Sequence, residues 1–299
     1  MEHITVLKNE SIEALNIKPD GIYVDATLGG GGHSEEILKR LTTGKLYAFD
    51  QDTYALERAK ERLIQYTNVH FFHSNFKDIK KNLNQINVTK IDGILFDLGL
   101  SSFQIDDERR GFSYLKNHEL DMRMDQSQSL TAKEVVNTYE PERLADIFRT
   151  YGEEKNAWRI ALEIVKRRPL ETTFDLVKIT DFINRDTKGH SAKRVFQALR
   201  IEVNHELDVL EDALEQSLSL LKVGGRLVVI TFHSLEDRIV KHFMKKHSTI
   251  DAPKNIDIRN FPNPPLKLVT RQASLPNQAE IESNKRSHSA KLRVAEKQK

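Results

Sequence analysis

The chain has 299 residues, and its 46 Lys plus Arg nearly balance 44 Asp plus Glu for a formal charge of +2, which argues against indiscriminate coating of polyanions. It contains no cysteine, so disulfide scaffolds, thiolate zinc sites, iron–sulfur clusters and cysteine nucleophiles are excluded. The 30% charged residues, the lack of an apolar run near the ~20 residues that span a bilayer, and the lack of a leader-like N-terminus predict a soluble, cytoplasmic protein with no membrane partner.

Ile22–Ala26 is a short apolar run that reads as a buried strand. The glycine loop Thr27–His33 follows, and Ser34 is expected to cap a helix with Glu35 and Glu36 in its first turn, stopped by Gly44. Lys45–Asp50 is the next strand, and Asp52 opens a helix with Ala55, Leu56, Ala59, Leu63 and Ile64 at helical spacing. Val69–Phe72 and Ile91–Asp97 are the third and fourth strands, with a polar helix between them. This alternation means βαβ units and a parallel sheet.

From Asp106 to Ile201 no buried strand is evident, and helical stretches such as Ala132–Asn137, Pro141–Thr150 and Glu154–Arg167 take over. Alternation resumes with a helix over His205–Leu221, the stop Gly224-Gly225, the strand Arg226–Phe232 and a helix over Leu235–Lys246. Two further strands are expected at Leu266–Thr270 and Ala290–Ala295. The fold class is therefore α/β, with about seven strands and a mainly helical insertion after the fourth. The expected boundaries are 1–105 plus 205–299 for the sheet domain and 106–204 for the insertion. Local charge is uneven: Lys155–Arg200 carries 11 basic and 5 acidic residues, and Lys285–Lys299 carries 6 and 1. Such segments suit an anionic partner docked at defined places, or solvated faces.

Four consecutive glycines, Gly29–Gly32, between a strand and a helix let backbone approach a ligand closely at a helix N-terminus. Asp50 ends the second strand 18–21 residues later, where an acid in doubly wound folds holds ribose hydroxyls. The dinucleotide fingerprint fails, because Ser34 or Glu35 stands where its third glycine belongs, and no P-loop string is present. Asp25-x-Thr27-x-Gly29-x-Gly31 instead resembles the acidic-x-Gly-x-Gly-x-Gly loop of S-adenosylmethionine-dependent methyltransferases, with Thr27 in place of the first glycine. Asp25 and Asp97 at the same edge suit a cationic sulfonium and would repel phosphates.

Longer strings narrow the resemblance. Val24–Ser34 (VDATLGGGGHS), Ile91–Ser102 (IDGILFDLGLSS), Arg110–Tyr114 (RGFSY), Leu120–Asp125 (LDMRMD), Tyr151–Glu154 (YGEE), Phe196–Ile201 (FQALRI), Phe232–Val240 (FHSLEDRIV) and the C-terminal SAKLRVAE occur in this order. Together the strings resemble the bacterial 16S ribosomal RNA cytosine-N4 methyltransferase family, also called MraW or methyltransferase H, over nearly the whole chain. The resemblance implies a Rossmann-like, seven-stranded class I methyltransferase sheet. It implies S-adenosyl-L-methionine as cofactor, with Gly31, Gly32 and His33 at its methionine end, Asp50 on the ribose, Phe76 against the adenine, and Asp97 and Gln104 near the transfer site. The implied substrate is a cytidine in the decoding region of 16S rRNA, presented on the small ribosomal subunit and gripped in part by the inserted domain. DNA is not implied as a partner, and a homodimer is compatible with the sequence.

Transfer to an amino nitrogen is an in-line displacement in which positioning supplies most of the catalysis. Asp97 is the expected catalytic acceptor for the amino protons, with the Leu98 carbonyl and Ser101 as helpers. Attack on cytosine carbon 5 uses a cysteine and is excluded. Amino-directed DNA methyltransferases carry [NDS]-P-P-[aromatic] after the fourth strand, where this chain has Asp97-Leu98-Gly99-Leu100; Asn263-Pro264-Pro265-Leu266 lacks the aromatic and is a decoy. Phe103, Phe112 and Tyr114 are candidates to stack on the target base, with Arg109 and Arg110 beside them for phosphates, or are buried packing. His33 is read as a ligand of the cofactor carboxylate, a proton shuttle or a loop cap. The His233–Arg238 cluster serves either the substrate or a structural hydrogen-bond network. Met122 and Met124 are read as packing. No metal-ligand spacing emerges, and no metal is expected.

Overall fold

A computed structural model describes residues 5–101, 104–105, 107–185, 188–250 and 262–299, with Glu108 traced by its backbone only. It separates into two compact units, one built from the chain up to Gly99 with Leu207–Lys299, the other from Leu100–Glu206. The first unit holds a seven-stranded sheet in the order β3-β2-β1-β4-β5-β7-β6. Its strands are β1 (Ile22–Asp25), β2 (Lys45–Asp50), β3 (Val69–His73), β4 (Ile91–Asp97), β5 (Leu221–Thr231), β6 (Leu266–Leu268) and β7 (Lys291–Lys297). β1 to β5 pair in parallel, and β7 runs antiparallel between β5 and β6. This is the doubly wound, Rossmann-like α/β arrangement expected from the sequence.

Side chains alternate between two faces along every strand, and both faces are covered. Val24, Phe49, Ile94, Phe96, Leu227 and Val229 point one way, into a core shared with α4 (Ile79–Gln85), α10 (Glu206–Leu220) and α11 (Ser234–Ser248). Tyr23, Leu46, Ala48, Leu95, Val228 and Ile230 point the other way, against α1 (Lys8–Leu15), α2 (Gly32–Leu38) and α3 (Thr53–Arg62). Burial on both sides is why strands such as IDGILFD and RLVVIT read as unbroken apolar runs. The order reverses at β1, whose neighbours are β2 and β4, so connections leave in opposite directions and a crevice opens beyond the strands' carboxyl ends.

The second unit packs α5 (Ala132–Thr138), α6 (Pro141–Thr150), α7 (Ala157–Arg167), α8 (Thr173–Ile183) and α9 (Lys193–Asn204) around its own core, which includes Phe148, Ile160, Leu176 and Leu199. Met122 and Met124 are buried in that core, as packing residues. The unit begins at Leu100 rather than 106, because Leu100 packs on the helical core and Ser101 is tied to Gln104. It ends at Glu206, whose carboxylate grips Arg200 at 2.8 Å.

Two local expectations are corrected. Ser34 does not cap α2: Gly31, at φ 76°, starts the helix earlier, and Ser34 is its buried third residue. β5 starts at Leu221, not Arg226, because the backbone on both sides of Gly224-Gly225 stays in the sheet; the ladder with β4 shifts register between Ile91 and Gly93.

Candidate functional site

Three acids cluster by strand order. β1 ends in Asp25, its neighbour β2 ends in Asp50, and its other neighbour β4 ends in Asp97. The glycine loop leaves β1 between them. Leu28 N–H donates to the Phe49 carbonyl at 2.9 Å and Gly31 N–H to the Leu28 carbonyl at 2.8 Å, so the loop folds back over the end of β2. Gly29 and Gly31 adopt φ of 50° and 76°, where a side chain would add strain. Gly32 is required for another reason: a Cβ there would collide with the Thr5 hydroxyl. Arg62 of α3 braces the loop from outside, pairing with Glu35 at 2.7 Å.

Each carboxylate is fixed differently. Asp25 accepts from Ser34 Oγ at 2.7 Å and from Thr27 N–H at 3.2 Å, and burial pushes its carboxyl up to about 6. Asp50 accepts from Gly29 N–H at 2.8 Å and Asp52 N–H at 2.9 Å; burial again raises it to about 6. Asp97 donates its backbone N–H to Thr27 Oγ1 at 2.6 Å, which holds the end of β4 to the loop. Its Oδ2 lies 3.6 Å from His33 Nδ1, an electrostatic contact rather than a hydrogen bond. Its Oδ1 is buried and accepts no hydrogen bond from the described residues. Burial raises the Asp97 carboxyl well above the usual range, and the charges of Asp25 and Glu236 push it the same way.

Three carboxyls raised by burial make a site that is costly to ionise and that a cation would relieve. In the unfolded chain they titrate near 3.8, while folded Asp25 and Asp50 titrate near 6. The folded state therefore binds more protons across that interval, and stability is lost as pH rises from about 4 through about 6, with Asp97 extending the loss upward. We expect chemical unfolding of the ligand-free protein to show this loss, and Asp25→Asn to reduce it while stabilising the protein at neutral pH. An identical pH dependence in the variant would contradict the assignment.

The other residues singled out from sequence divide. His33 is buried in the first turn of α2 beside Asp97. Phe76 opens a short 3-10 turn after β3, and its ring meets Phe96 of β4 edge-on at 5.7 Å. Gln104 lies in the helical unit, where it is buried and its Oε1 accepts from Ser101 N–H at 3.1 Å. Phe103 lies outside the described residues. Arg110 is committed to structure: its guanidinium donates to the Arg123 and Met124 carbonyls at 2.9 Å, and Phe112 beside it is in the core. Tyr114 stacks obliquely on His190 at 4.3 Å. His233 caps α11, and Glu236 accepts from Phe232 N–H at 2.8 Å, so the hydrogen-bond network is built into the helix start. Asn263-Pro264-Pro265 leads into the edge strand β6, with β7 and β5 between it and β4. Sequence reasoning missed Thr5 and Ser34 as parts of this edge, while Glu236 belongs to the His233–Arg238 cluster it singled out; Thr5 carried no local signal.

The profile of the MraW methylase family matches residues 1–298. The chain belongs to that family. Three relatives carry the MraW resemblance over full length. The ribosomal RNA small subunit methyltransferase H 1 of Acholeplasma laidlawii is 67% identical over 298 residues, covering 100% of both chains. The ribosomal RNA small subunit methyltransferase H of onion yellows phytoplasma is 57% identical over 296 residues, covering 99% of this chain and 97% of its own. That of Exiguobacterium sibiricum is 54% identical over 309 residues, covering 100% and 99%. The glycine loop and the three acids stand at the carboxyl edge of the sheet, where the strand order reverses at β1. No helix among the described residues is long and apolar enough to cross a membrane.

Proposed function

We propose that this protein uses S-adenosyl-L-methionine to methylate the N4 amino group of a cytidine in the decoding region of 16S rRNA, on the small ribosomal subunit in the cytoplasm. One observation carries the reading: Asp97 ends β4 with a buried oxygen that no described group satisfies, beside a glycine loop and a ribose-type acid. The residues fit the cofactor. Buried carboxylates at the edge favour a sulfonium, the Gly31–His33 turn leaves room for its methionine end, Asp50 takes the ribose hydroxyls and Phe76 borders the adenine. When bound, the cofactor supplies an electrophilic methyl group.

The remaining work falls to the chain. Cytosine N4 is a weak nucleophile because its lone pair is delocalised into the ring. An acceptor held against its protons favours a pyramidal nitrogen with the lone pair available, and the Asp97 carboxylate is that acceptor. Positive charge passes from sulfur to nitrogen during transfer, and a fixed carboxylate stabilises it at either position. His33, against Asp97, orients the carboxylate and borders the methionine end. The helical unit is assigned to RNA recognition. Its basic run is not uniform, though: Arg168 is spent on the Val136 and Tyr139 carbonyls, and Arg167 pairs with Glu163 at 2.6 Å.

Nucleoside mass spectrometry of small-subunit RNA from a strain lacking the gene tests the reading. N4-methylated cytidine is expected to disappear and to return on complementation. Its persistence at wild-type level would overturn the assignment.

A further inference from the structure

The exposed side of α11 carries a charge pattern that lies outside the two basic segments evident in the sequence. Six of its residues are basic or histidine, and two, Glu236 and Asp237, are acidic. Both acids are buried and engaged: Glu236 caps the helix, and Asp237 holds Arg293 at 2.6 Å and Lys291 at 2.9 Å. The outward residues are Arg238, Lys241, His242, Lys245 and Lys246, at i, i+3, i+4, i+7 and i+8, which is one continuous helix face. Lys246 lies 3.7 Å from Glu215, and no described carboxylate lies within ion-pair distance of Lys241 or Lys245. Meanwhile Lys291 and Arg293, in the basic C-terminal segment, are spent on Asp237.

The position of this face selects its partner. β5 is the hydrogen-bonded neighbour of β4, with Ile230 opposite Asp97, and α11 starts three residues after β5 ends. The face therefore starts beside the transfer edge and extends about 16 Å from Ser234 to Lys245. A row of outward cations in which Lys241 and Lys245 have no described carboxylate partner, beginning where a base is modified, is complementary to the phosphates on either side of that base.

We propose that the exposed face of α11 is a track for the phosphates of the RNA strand that carries the target base, with Lys241 and Lys245 as its principal contacts. This rests on the reading of the protein as an RNA methyltransferase.

The test is a Lys241→Gln/Lys245→Gln variant assayed on an unmethylated RNA spanning the decoding region and on small subunits from the deletion strain. Each lost single-strand phosphate contact lowers the slope of log affinity against log salt by about 0.7, so a reduction of about 1.4 is expected. Affinity should fall about tenfold near physiological salt, appearing in KM for RNA, with kcat and cofactor affinity unchanged. Lys241→Arg/Lys245→Arg should restore the wild-type slope. If the wild type methylates these substrates and the Gln variant keeps the wild-type slope, the track is refuted while the enzyme reading stands. If the wild type methylates neither, the enzyme reading itself fails.

Discussion

Asp97→Asn should lower kcat by about 10²–10³, the range for removal of a positioned proton acceptor or charge stabiliser in a dry site, while changing cofactor affinity less than about fivefold. The substitution keeps shape and removes charge. The backbone bond from Asp97 to Thr27 Oγ1 survives it, so the end of β4 stays docked on the glycine loop. What is lost is an anion whose buried Oδ1 has no described hydrogen-bond partner and whose ionisation burial resists. Pre-steady-state methyl transfer at saturating cofactor measures it. An undiminished rate would show that the carboxylate does not act on the amino group. The raised carboxyl also gives a sign to the activity profile: only the ionised form accepts the amino protons, so turnover should climb as pH rises through the Asp97 titration.

Asp50→Ala should produce the opposite division. Its carboxylate organises the loop through Gly29 and Asp52 and supplies charged acceptors for ribose hydroxyls, each such bond being worth about 1.5–3 kcal/mol. A loss near the upper end corresponds to a roughly 100-fold rise in cofactor Kd. With cofactor saturating, kcat should fall only about fivefold or less, because the ribose lies away from the transferred methyl. Calorimetry and steady-state kinetics on the same preparation separate the two quantities. Parallel effects of the Asp50 and Asp97 variants on both would refute separate roles.

The two acids were legible in sequence for a physical reason. β2 and β4 are buried on both faces, so their apolar runs are unmistakable, and a single acid ending such a run marks the strand's carboxyl edge. The helix opening at Asp52 was equally clear, since its side chain accepts from Tyr54 N–H, an ordinary cap. Ser34 failed as a cap because a competing role, the bond to buried Asp25, lies nine residues away in sequence and carries no local pattern. The same holds for Thr5 over Gly32. Arg110 misled in another way: its charge suggested phosphate, while two backbone carbonyls claim its guanidinium inside the helical unit. The phosphate track on α11 was hidden because buried Glu236 and Asp237 cancel cations in a sum along the chain, though not in space.

A crystal structure of the protein bound to S-adenosyl-L-homocysteine tests the central claim most directly. The account predicts the ribose hydroxyls on the Asp50 carboxylate, the methionine end against Gly31–His33, and the sulfur facing Asp97. A nucleoside bound away from Asp50, with the glycine loop untouched, would contradict it.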